Sequence, residues 1–199
     1  MTETERDYYD RRAPEYDDWY LGTGLFAQRS RPGWADELAA LRSALAALPF
    51  TSVLDIACGT GFLTATLPGR VTALDQSAAM LAIARQRVPR ANFVRGDALQ
   101  LPFRSQQFDC VVSGHFYGHL AEAARREFLC AAREAARCIL IVDAAKREDV
   151  PAEEYQERVL NDGSRHVVYK RYFTAEKLMH EIAPGRVVHS GRWFVAVLA

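Results

Sequence analysis

The sequence lacks three features that would each have narrowed its function. It has no apolar run long enough to cross a bilayer, and its first ten residues are acidic and aromatic, unlike a signal peptide or an anchor. Its cysteines never form a C-x-x-C pair, so neither a zinc knuckle nor a disulfide framework is indicated. We therefore expect a cytoplasmic protein with no metal site and no membrane partner, and four buried free thiols: Cys58, Cys110, Cys130 and Cys138.

Net charge is also missing. Across 199 residues, 25 lysines and arginines balance 25 aspartates and glutamates, so no net field draws the chain to phosphate backbones. Nucleic acid is therefore a disfavoured partner. Four arginines close in sequence, Arg85, Arg87, Arg90 and Arg95, form either a local basic face or a solvated surface, and the second is commoner. The hydrophobic content of 49% fits one domain with its own core.

From residue 52 onward, short β-branched runs alternate with alanine-rich helical stretches. This alternation predicts helices between parallel strands. A helix capped by Thr174 is followed by two short runs separated by Ser190 and Gly191, which predicts a closing antiparallel hairpin. The predicted fold is α/β, a Rossmann-like three-layer sandwich with a seven-stranded, mostly parallel sheet. Its predicted strands are 53–56, 71–75, 92–96, 108–113, 139–143, 187–189 and 193–198, and its main helices are 34–48, 77–88, 122–136 and 174–182.

The strongest chemical signal is VLDIACGTG at residues 53–61, a strand that runs into a turn of small residues opening a helix. Small residues at Ala57, Gly59 and Gly61 let the backbone approach a ligand closely. A nicotinamide dinucleotide fingerprint needs a third small residue for helix packing, but FLT follows here. Asp55 would repel a pyrophosphate, whereas it can hold an ammonium group. The segment therefore favours a cofactor that carries an amino acid.

Two more aspartates end the next two predicted strands. Asp75, followed by Gln76, can accept two hydrogen bonds from a ribose diol, and Asp97, followed by Ala98, can accept one from an adenine amino group. A single aspartate at such a place is more often a turn residue or helix cap. Three at successive strand ends predict that one sheet edge binds an adenosine with an amino-acid tail.

From about residue 52 to 199 the sequence resembles the class I S-adenosylmethionine-dependent methyltransferases. LDIACGTG looks like the first motif of this family, with Ala57 in place of the usual first glycine, and FDCVVS looks like its fourth strand. The resemblance implies that S-adenosylmethionine binds and that S-adenosylhomocysteine is the product. It assigns the methionine end to Asp55 and the turn, the ribose to Asp75 and the adenine to Asp97 with Ala98. It places the end of the fourth strand, at Ser113, beside the transferred methyl.

Two segments outside this scaffold are expected to choose the acceptor. The aromatic N-terminus, Tyr8, Tyr9, Tyr16, Trp19 and Tyr20, is predicted to form one or two short helices and resembles the tyrosine-rich lid of small-molecule members. Its rings either contact the sulfonium, with Tyr16 our choice, or only pack the helix on the sheet. We divide the chain into a lid (1–50), a cofactor-binding core (52–143), a variable segment (144–173) and a closing helix and hairpin (174–199).

The variable segment contains a good turn signal at residues 161–164, and the residues after it divide into two alternating sets, which predicts an added strand. One set is His166, Val168, Lys170 and Tyr172, and the other is Val167, Tyr169, Arg171 and Phe173. One face of this strand either roofs the acceptor pocket or serves a structural or oligomer contact. The candidate acceptor-binding residues are Tyr20, His166, Tyr169 and Arg171.

SGHFYGHL follows the fourth strand and offers His115, Tyr117 and His119 as catalytic groups. We favour His119, because its histidine-leucine pair resembles the motif that the family has there. Such a histidine acts either as a general base or as a packing and hydrogen-bonding group.

The sequence thus predicts methyl transfer to a small molecule, and three alternatives stay open. A cofactor-binding regulatory or assembly protein would keep the pocket without catalysis. A nucleic-acid methyltransferase is disfavoured, because the chain has neither an Asn/Asp-Pro-Pro-Tyr/Phe segment nor a Pro-Cys nucleophile. A nicotinamide oxidoreductase would need the missing glycine. The acceptor atom and the oligomeric state are not predicted, because specificity in this fold lies in grafted segments.

Overall fold

A seven-stranded sheet forms the centre of the computed structural model, which describes the backbone of residues 3–199 and the side chains of residues 7–199. Residues 1 and 2 of the predicted lid lie outside the described residues. The strands are β1 Ser52–Ile56, β2 Arg70–Asp75, β3 Asn92–Arg95, β4 Phe108–Gly114, β5 Ala136–Ala144, β8 Arg186–Ser190 and β9 Phe194–Leu198. Their order in the sheet is β3-β2-β1-β4-β5-β9-β8, and β9 alone runs antiparallel to the other six. This confirms the predicted fold class.

Helices cover both faces of this sheet: α1 Glu3–Arg12, α2 Asp18–Leu21, α3 Trp34–Ala46, α4 Ala78–Arg87, α5 Glu122–Ala135 and α6 Ala175–Ile182. Successive strand residues point to opposite faces, so each strand contributes apolar side chains to both. Val53 and Leu140 pack on one face with the leucines of α3, whereas Leu54 and Ile141 pack on the other with α5 and α6.

Ser77 and Thr174 cap α4 and α6 as predicted, each accepting a hydrogen bond from the backbone N–H three residues further along the chain. Among residues 3–199, no helix has the length and apolar character needed to cross a membrane.

Two expectations about the core are wrong. The turn after β1 was expected to open a helix, but residues 57–69 form only a short 3-10 turn, Thr64–Thr66. Pro68 and Gly69 end this stretch before a helix can grow, and a β-carbon on Gly69 would lie 2.5 Å from the Thr51 carbonyl oxygen. Of the four thiols expected to be buried, only Cys110 is: Cys58 and Cys138 are half-buried, and Cys130 is exposed because α5 turns it away from its buried face.

The variable segment forms a separate two-stranded sheet rather than one added strand. β6 Glu153–Val159 pairs antiparallel with β7 Arg165–Arg171, and the predicted turn joins them. β6 was missed because its sequence, EEYQERV, is rich in charged residues that are usually depleted in strands. We call this sheet the β6–β7 hairpin.

Candidate functional site

A cavity of about 640 Å³ opens at the carboxyl ends of β1, β2, β3 and β4. In open α/β sheets, ligands bind just beyond the carboxyl ends of the parallel strands. Residues at the strand ends line one side of the cavity, which we call the sheet side, and the β6–β7 hairpin with the start of α5 lines the other, the hairpin side. Among the predicted site residues, those that line it are Tyr16, Ala57, Gly59, Asp75, Gln76, Asp97, Ala98, His115, His119, Tyr169 and Arg171.

The remaining predicted residues lie outside this lining. Asp55 and Tyr20 line a smaller recess that shares Tyr16, Ala57 and Gly114 with the main cavity. Tyr20 stacks on Phe62 with ring centroids 4.0 Å apart. Three others make contacts within the protein: Ser113 and Tyr117 are buried, and the His166 ring contacts the Tyr8 ring.

The turn after β1 uses left-handed backbone conformations at three residues. Ala57 has a φ of 58°, which is unusual for a residue with a side chain, and Gly59 has a φ of 55°. A β-carbon on Gly59 would lie 3.5 Å from the Tyr16 ring of the lid. With no side chain there, the backbone of Gly59 is accessible beneath this ring. Gly61 serves packing instead, since its β-carbon would lie 3.2 Å from that of Ala84 on α4.

The two carboxylates of β1 and β2 are buried beside this turn. Asp55 accepts a hydrogen bond of 2.6 Å from the Thr64 hydroxyl, and burial raises the pKa of Asp55 to about 7. Asp75 accepts from the backbone N–H groups of Gly59 at 2.8 Å and Ser77 at 2.9 Å, and burial raises its pKa as well. Together with the backbone N–H of Gln76, these make three donors to Asp75, and the two carboxylate oxygens can accept four. Asp75 can therefore bind a ligand without breaking them.

Asp97 follows β3 at the same edge, where it accepts a hydrogen bond of 2.9 Å from the Leu99 N–H. Gly96, Ala98 and Leu99 line the cavity next to it, which makes a narrow apolar strip beside a carboxylate. The three aspartates thus lie at successive strand ends, with Asp75 and Asp97 in the main cavity and Asp55 in the adjoining recess.

Two histidines face the cavity in different ways. His119 Nδ1 lies 2.7 Å from the Tyr169 carbonyl oxygen, and since a carbonyl only accepts, Nδ1 carries the proton and Nε2 the lone pair. Burial lowers the pKa of His119 well below its usual value. His115 is packed among Trp19 and Phe194 with neither ring nitrogen bonded to the described protein, and burial lowers its pKa to about 4. Both imidazoles are therefore neutral at neutral pH.

The lid is fastened to the sheet side by polar contacts. Asp10 accepts from the Ser77 hydroxyl and from the Ala79 N–H, which ties α1 to the start of α4. Asp17 accepts a hydrogen bond of 2.5 Å from Thr60 in the turn and pairs with Arg87. These contacts hold Tyr16 over the bare backbone of Gly59.

The β6–β7 hairpin is clamped to the sheet by a buried ion pair. Lys170 Nζ lies 2.5 Å from an oxygen of Asp143 on β5, and both side chains are buried. The other Asp143 oxygen accepts from the Gly118 N–H at 2.7 Å. Burial lowers the pKa of Lys170, and the charge of Asp143 opposes that shift. Together with the bond from His119 to Tyr169, this pair fixes the hairpin side.

Comparison with known proteins points to a methyltransferase domain. A family profile described as a methyltransferase domain matches residues 53–138, which is somewhat less than half of this chain. The solved DhpI–SAH complex superposes with a TM-score of 0.73 at 26% identity, covering 98% of this chain and 94% of that one. Over the matched residues this chain is similar to the class I S-adenosylmethionine-dependent methyltransferases.

Curated relatives of this chain match over shorter stretches. A 2-phytyl-1,4-naphtoquinone methyltransferase of Nostoc sp. is 30% identical over 141 residues, covering 63% of this chain and 57% of that protein. Its namesake from Thermosynechococcus vestitus is 45% identical over 73 residues, covering 32% of each chain. The chain therefore spans between about a third and somewhat more than half of the lengths of these relatives.

The sequence analysis missed several residues on the hairpin side of the cavity. Arg125, Glu153 and Tyr155 line the cavity, and Glu181 lies directly behind it. One signal was present: Arg125 falls in register with Phe128, so a charged residue interrupts the apolar face of α5. Glu153 and Tyr155 could be found only after β6 was recognised.

Proposed function

We propose that this chain transfers a methyl group from S-adenosylmethionine to a small-molecule acceptor. One observation carries the proposal: the turn at Ala57 and Gly59, Asp75 and Asp97 meet in one cavity at the carboxyl edge of the sheet. The match of residues 53–138 to a methyltransferase domain, a relative named as a naphthoquinone methyltransferase and a neighbour solved with SAH support it.

The sheet side fits the donor group by group. Asp75 has acceptor capacity left for the ribose hydroxyls, and Asp97 with the strip at Ala98 and Leu99 suits an adenine ring and its amino group. The bare backbone at Ala57 and Gly59 admits the methionine end, and Asp55 in the adjoining recess supplies a carboxylate for its ammonium. Tyr16 lies over this end, where its ring attracts a cation.

S-adenosylmethionine, when bound, would supply an electrophilic methyl group on a positively charged sulfur, which the acceptor's lone pair would take while S-adenosylhomocysteine leaves with the electrons of the carbon–sulfur bond. Because such a transfer disperses positive charge, orientation and exclusion of water by the protein would supply much of the catalysis. The fastened lid and the clamped hairpin provide both, because they enclose the cavity from two sides.

His119 is our candidate for removing a proton from the acceptor. The Tyr169 carbonyl fixes its tautomer, which leaves Nε2 to accept, and its lowered pKa keeps it uncharged at neutral pH. The same lowered pKa makes it a weak base, so it suits an acceptor that loses its proton readily. His115 and Tyr117 stay secondary candidates, and Tyr117 already donates to Glu181 at 3.0 Å.

Two experiments separate this proposal from a non-catalytic binding protein. Calorimetry with S-adenosylhomocysteine tests the site, and isotopically labelled S-adenosylmethionine incubated with protein and a metabolite extract tests turnover. We expect binding in the first and labelled small-molecule products in the second. Binding without any labelled product would favour the regulatory alternative, and failure to bind would remove the proposal. Cytoplasmic location and the absence of nucleic-acid and membrane partners stay predictions of the sequence.

A further inference from the structure

We propose that the methyl acceptor carries an anionic group, a carboxylate or a phosphoryl group, which binds between Arg125 and Arg171 on the hairpin side. This inference rests on the proposed function, because it names the chemical class of the molecule that shares the cavity with the donor. Both arginines line the cavity, and they come from different elements, α5 and β7.

Arg125 is a buried cation that faces the cavity. It is 3% exposed, in the stripe of α5 that otherwise packs Phe128, Leu129 and Ala132 into the core. Its Nη1 donates to the Leu120 carbonyl at 2.8 Å and its Nε to Glu181 at 3.2 Å. A guanidinium has five N–H donors, so it keeps capacity for a planar or tetrahedral anion.

Glu181 holds the two guanidinium groups from behind. One of its oxygens accepts from Arg171 Nη2 at 2.7 Å, and the other accepts from Arg125 and from the Tyr117 hydroxyl. Glu181 itself is not part of the cavity lining. Arg125, Arg171 and Glu181 together carry one net positive charge, which Glu153 in the cavity lining balances when no ligand is bound.

Glu153 at the cavity mouth is the group that such an anion would replace. It accepts a hydrogen bond of 2.6 Å from the Tyr169 hydroxyl and lies 3.7 Å from Arg171 Nη1. Its side chain is 57% exposed, so this ion pair is weak and the carboxylate can turn to solvent. Tyr169 and Arg171 then become available to the ligand, and the Tyr169 hydroxyl also contacts Arg125.

Two further features of the cavity favour a polar ligand. The first turn of α5 lines it at Ala121 and Glu122, and an alanine at the N-cap leaves the helix N–H groups without a side-chain acceptor. His115, which is buried and lines the same cavity, makes no hydrogen bond to the described protein through either ring nitrogen, and its Nδ1 lies 4.0 Å from Asp143. A ligand with polar atoms satisfies groups that the protein leaves unpaired.

The rest of the acceptor is expected to be apolar. Tyr155 and Val167 are 76% and 69% exposed, and both line the cavity on the same hairpin face as Tyr169 and Arg171. Tyr155 pairs directly across from Tyr169, with ring centroids 5.5 Å apart. Such a surface suits an aromatic or otherwise flat body attached to the anionic group.

The test uses three probes that share a phenyl ring, on protein saturated with S-adenosylhomocysteine: benzoate, phenylphosphonate and benzamide. Ligand-observed NMR titration gives their dissociation constants. We expect at least one anion to bind about tenfold more tightly than the neutral amide, because bonds to charged groups exceed those to neutral groups by about that much. The preference between benzoate and phenylphosphonate then distinguishes a carboxylate from a phosphoryl group.

Variants of opposite expected sign complete the experiment. Arg171→Gln should weaken binding of the preferred anion about tenfold, whereas Glu153→Gln should strengthen it by about twofold or more. Arg165→Gln, an exposed arginine on the same strand outside the cavity, is the matched control and should change nothing. Benzamide binding as tightly as both anions, or anion affinity unaltered in both variants, overturns the inference. If the unaltered protein does not bind S-adenosylhomocysteine at all, the proposed function is overturned instead.

Discussion

The two sides of the cavity are built by different means. On the sheet side, groups project from strand ends whose positions are set by backbone pairing, and the turn itself offers bare backbone. On the hairpin side, long side chains are held in place by other side chains: Lys170 by Asp143, and Arg125 and Arg171 by Glu181. The first construction binds one constant partner, whereas the second can change its ligand through single substitutions. Substitutions on the two sides should therefore affect different measurements.

The largest effect is expected where the hairpin is clamped. Lys170→Met leaves the Asp143 carboxylate buried without its ammonium partner, which should lower the free energy of unfolding by about 3–5 kcal/mol. Urea denaturation measures this change. Lys177→Met, on the exposed side of α6, is the control and should have little effect. A loss no larger than in the control would mean that the ion pair does not hold the hairpin.

On the sheet side, Asp75→Ala should weaken S-adenosylhomocysteine binding. The loss of charged hydrogen bonds to the ribose should cost about 1.5–3 kcal/mol for each bond, measured by calorimetry. Asp149→Ala, which removes an exposed carboxylate outside the cavity, serves as the control. An unchanged dissociation constant in the Asp75 variant would remove this residue from the site.

His119 belongs to both sides, since it follows β4 and bonds to the hairpin. An asparagine amide can replace Nδ1 as donor to Tyr169 while offering no basic nitrogen, so His119→Asn should keep donor affinity and stability but lower turnover about a hundredfold. His119→Ala should also retain donor binding, with lower turnover and lower stability. The readouts are labelled-methyl transfer across pH and thermal melting. Turnover of the asparagine variant equal to that of the unaltered protein at every pH would assign His119 to packing alone.

The smallest effect should be a pH dependence at Asp55. Burial raises its pKa from 3.8 to about 7, so the folded chain keeps a proton that the unfolded chain releases, and Asp55 lowers stability as pH rises through this window. The same ionisation should affect ligand binding: above about pH 7 the Asp55 carboxylate is charged and can bind the ammonium group of the ligand. S-adenosylhomocysteine affinity should thus rise from about pH 6 to about pH 8, by at most about tenfold per pH unit. Asp55→Asn should flatten this rise and, without ligand, melt at a higher temperature at about pH 8. A parallel rise in the variant would contradict the assignment.

The sequence predicted the sheet side well because its signals are local. Strand runs, caps such as Ser77 and aspartates at strand ends are short patterns, and parallel strands carry their ends to one edge. The hairpin side was predicted only in part. Tyr169 and Arg171 were named, but Arg125, Glu153 and Glu181 come together only through tertiary packing. The buried pair of Asp143 and Lys170 has no signature in the sequence for the same reason.

Alternate residues of β7 have different roles. Lys170 points inward to its carboxylate, while Tyr169 and Arg171 on either side of it border the cavity. The residue that attaches the hairpin to the sheet is thus the immediate neighbour in sequence of the two that line the cavity. Exchanging residues 153, 155, 167, 169 and 171 as a set would rewrite what the pocket recognises while its fastening stays in place. The hairpin is therefore a natural place to redirect this scaffold toward a new acceptor.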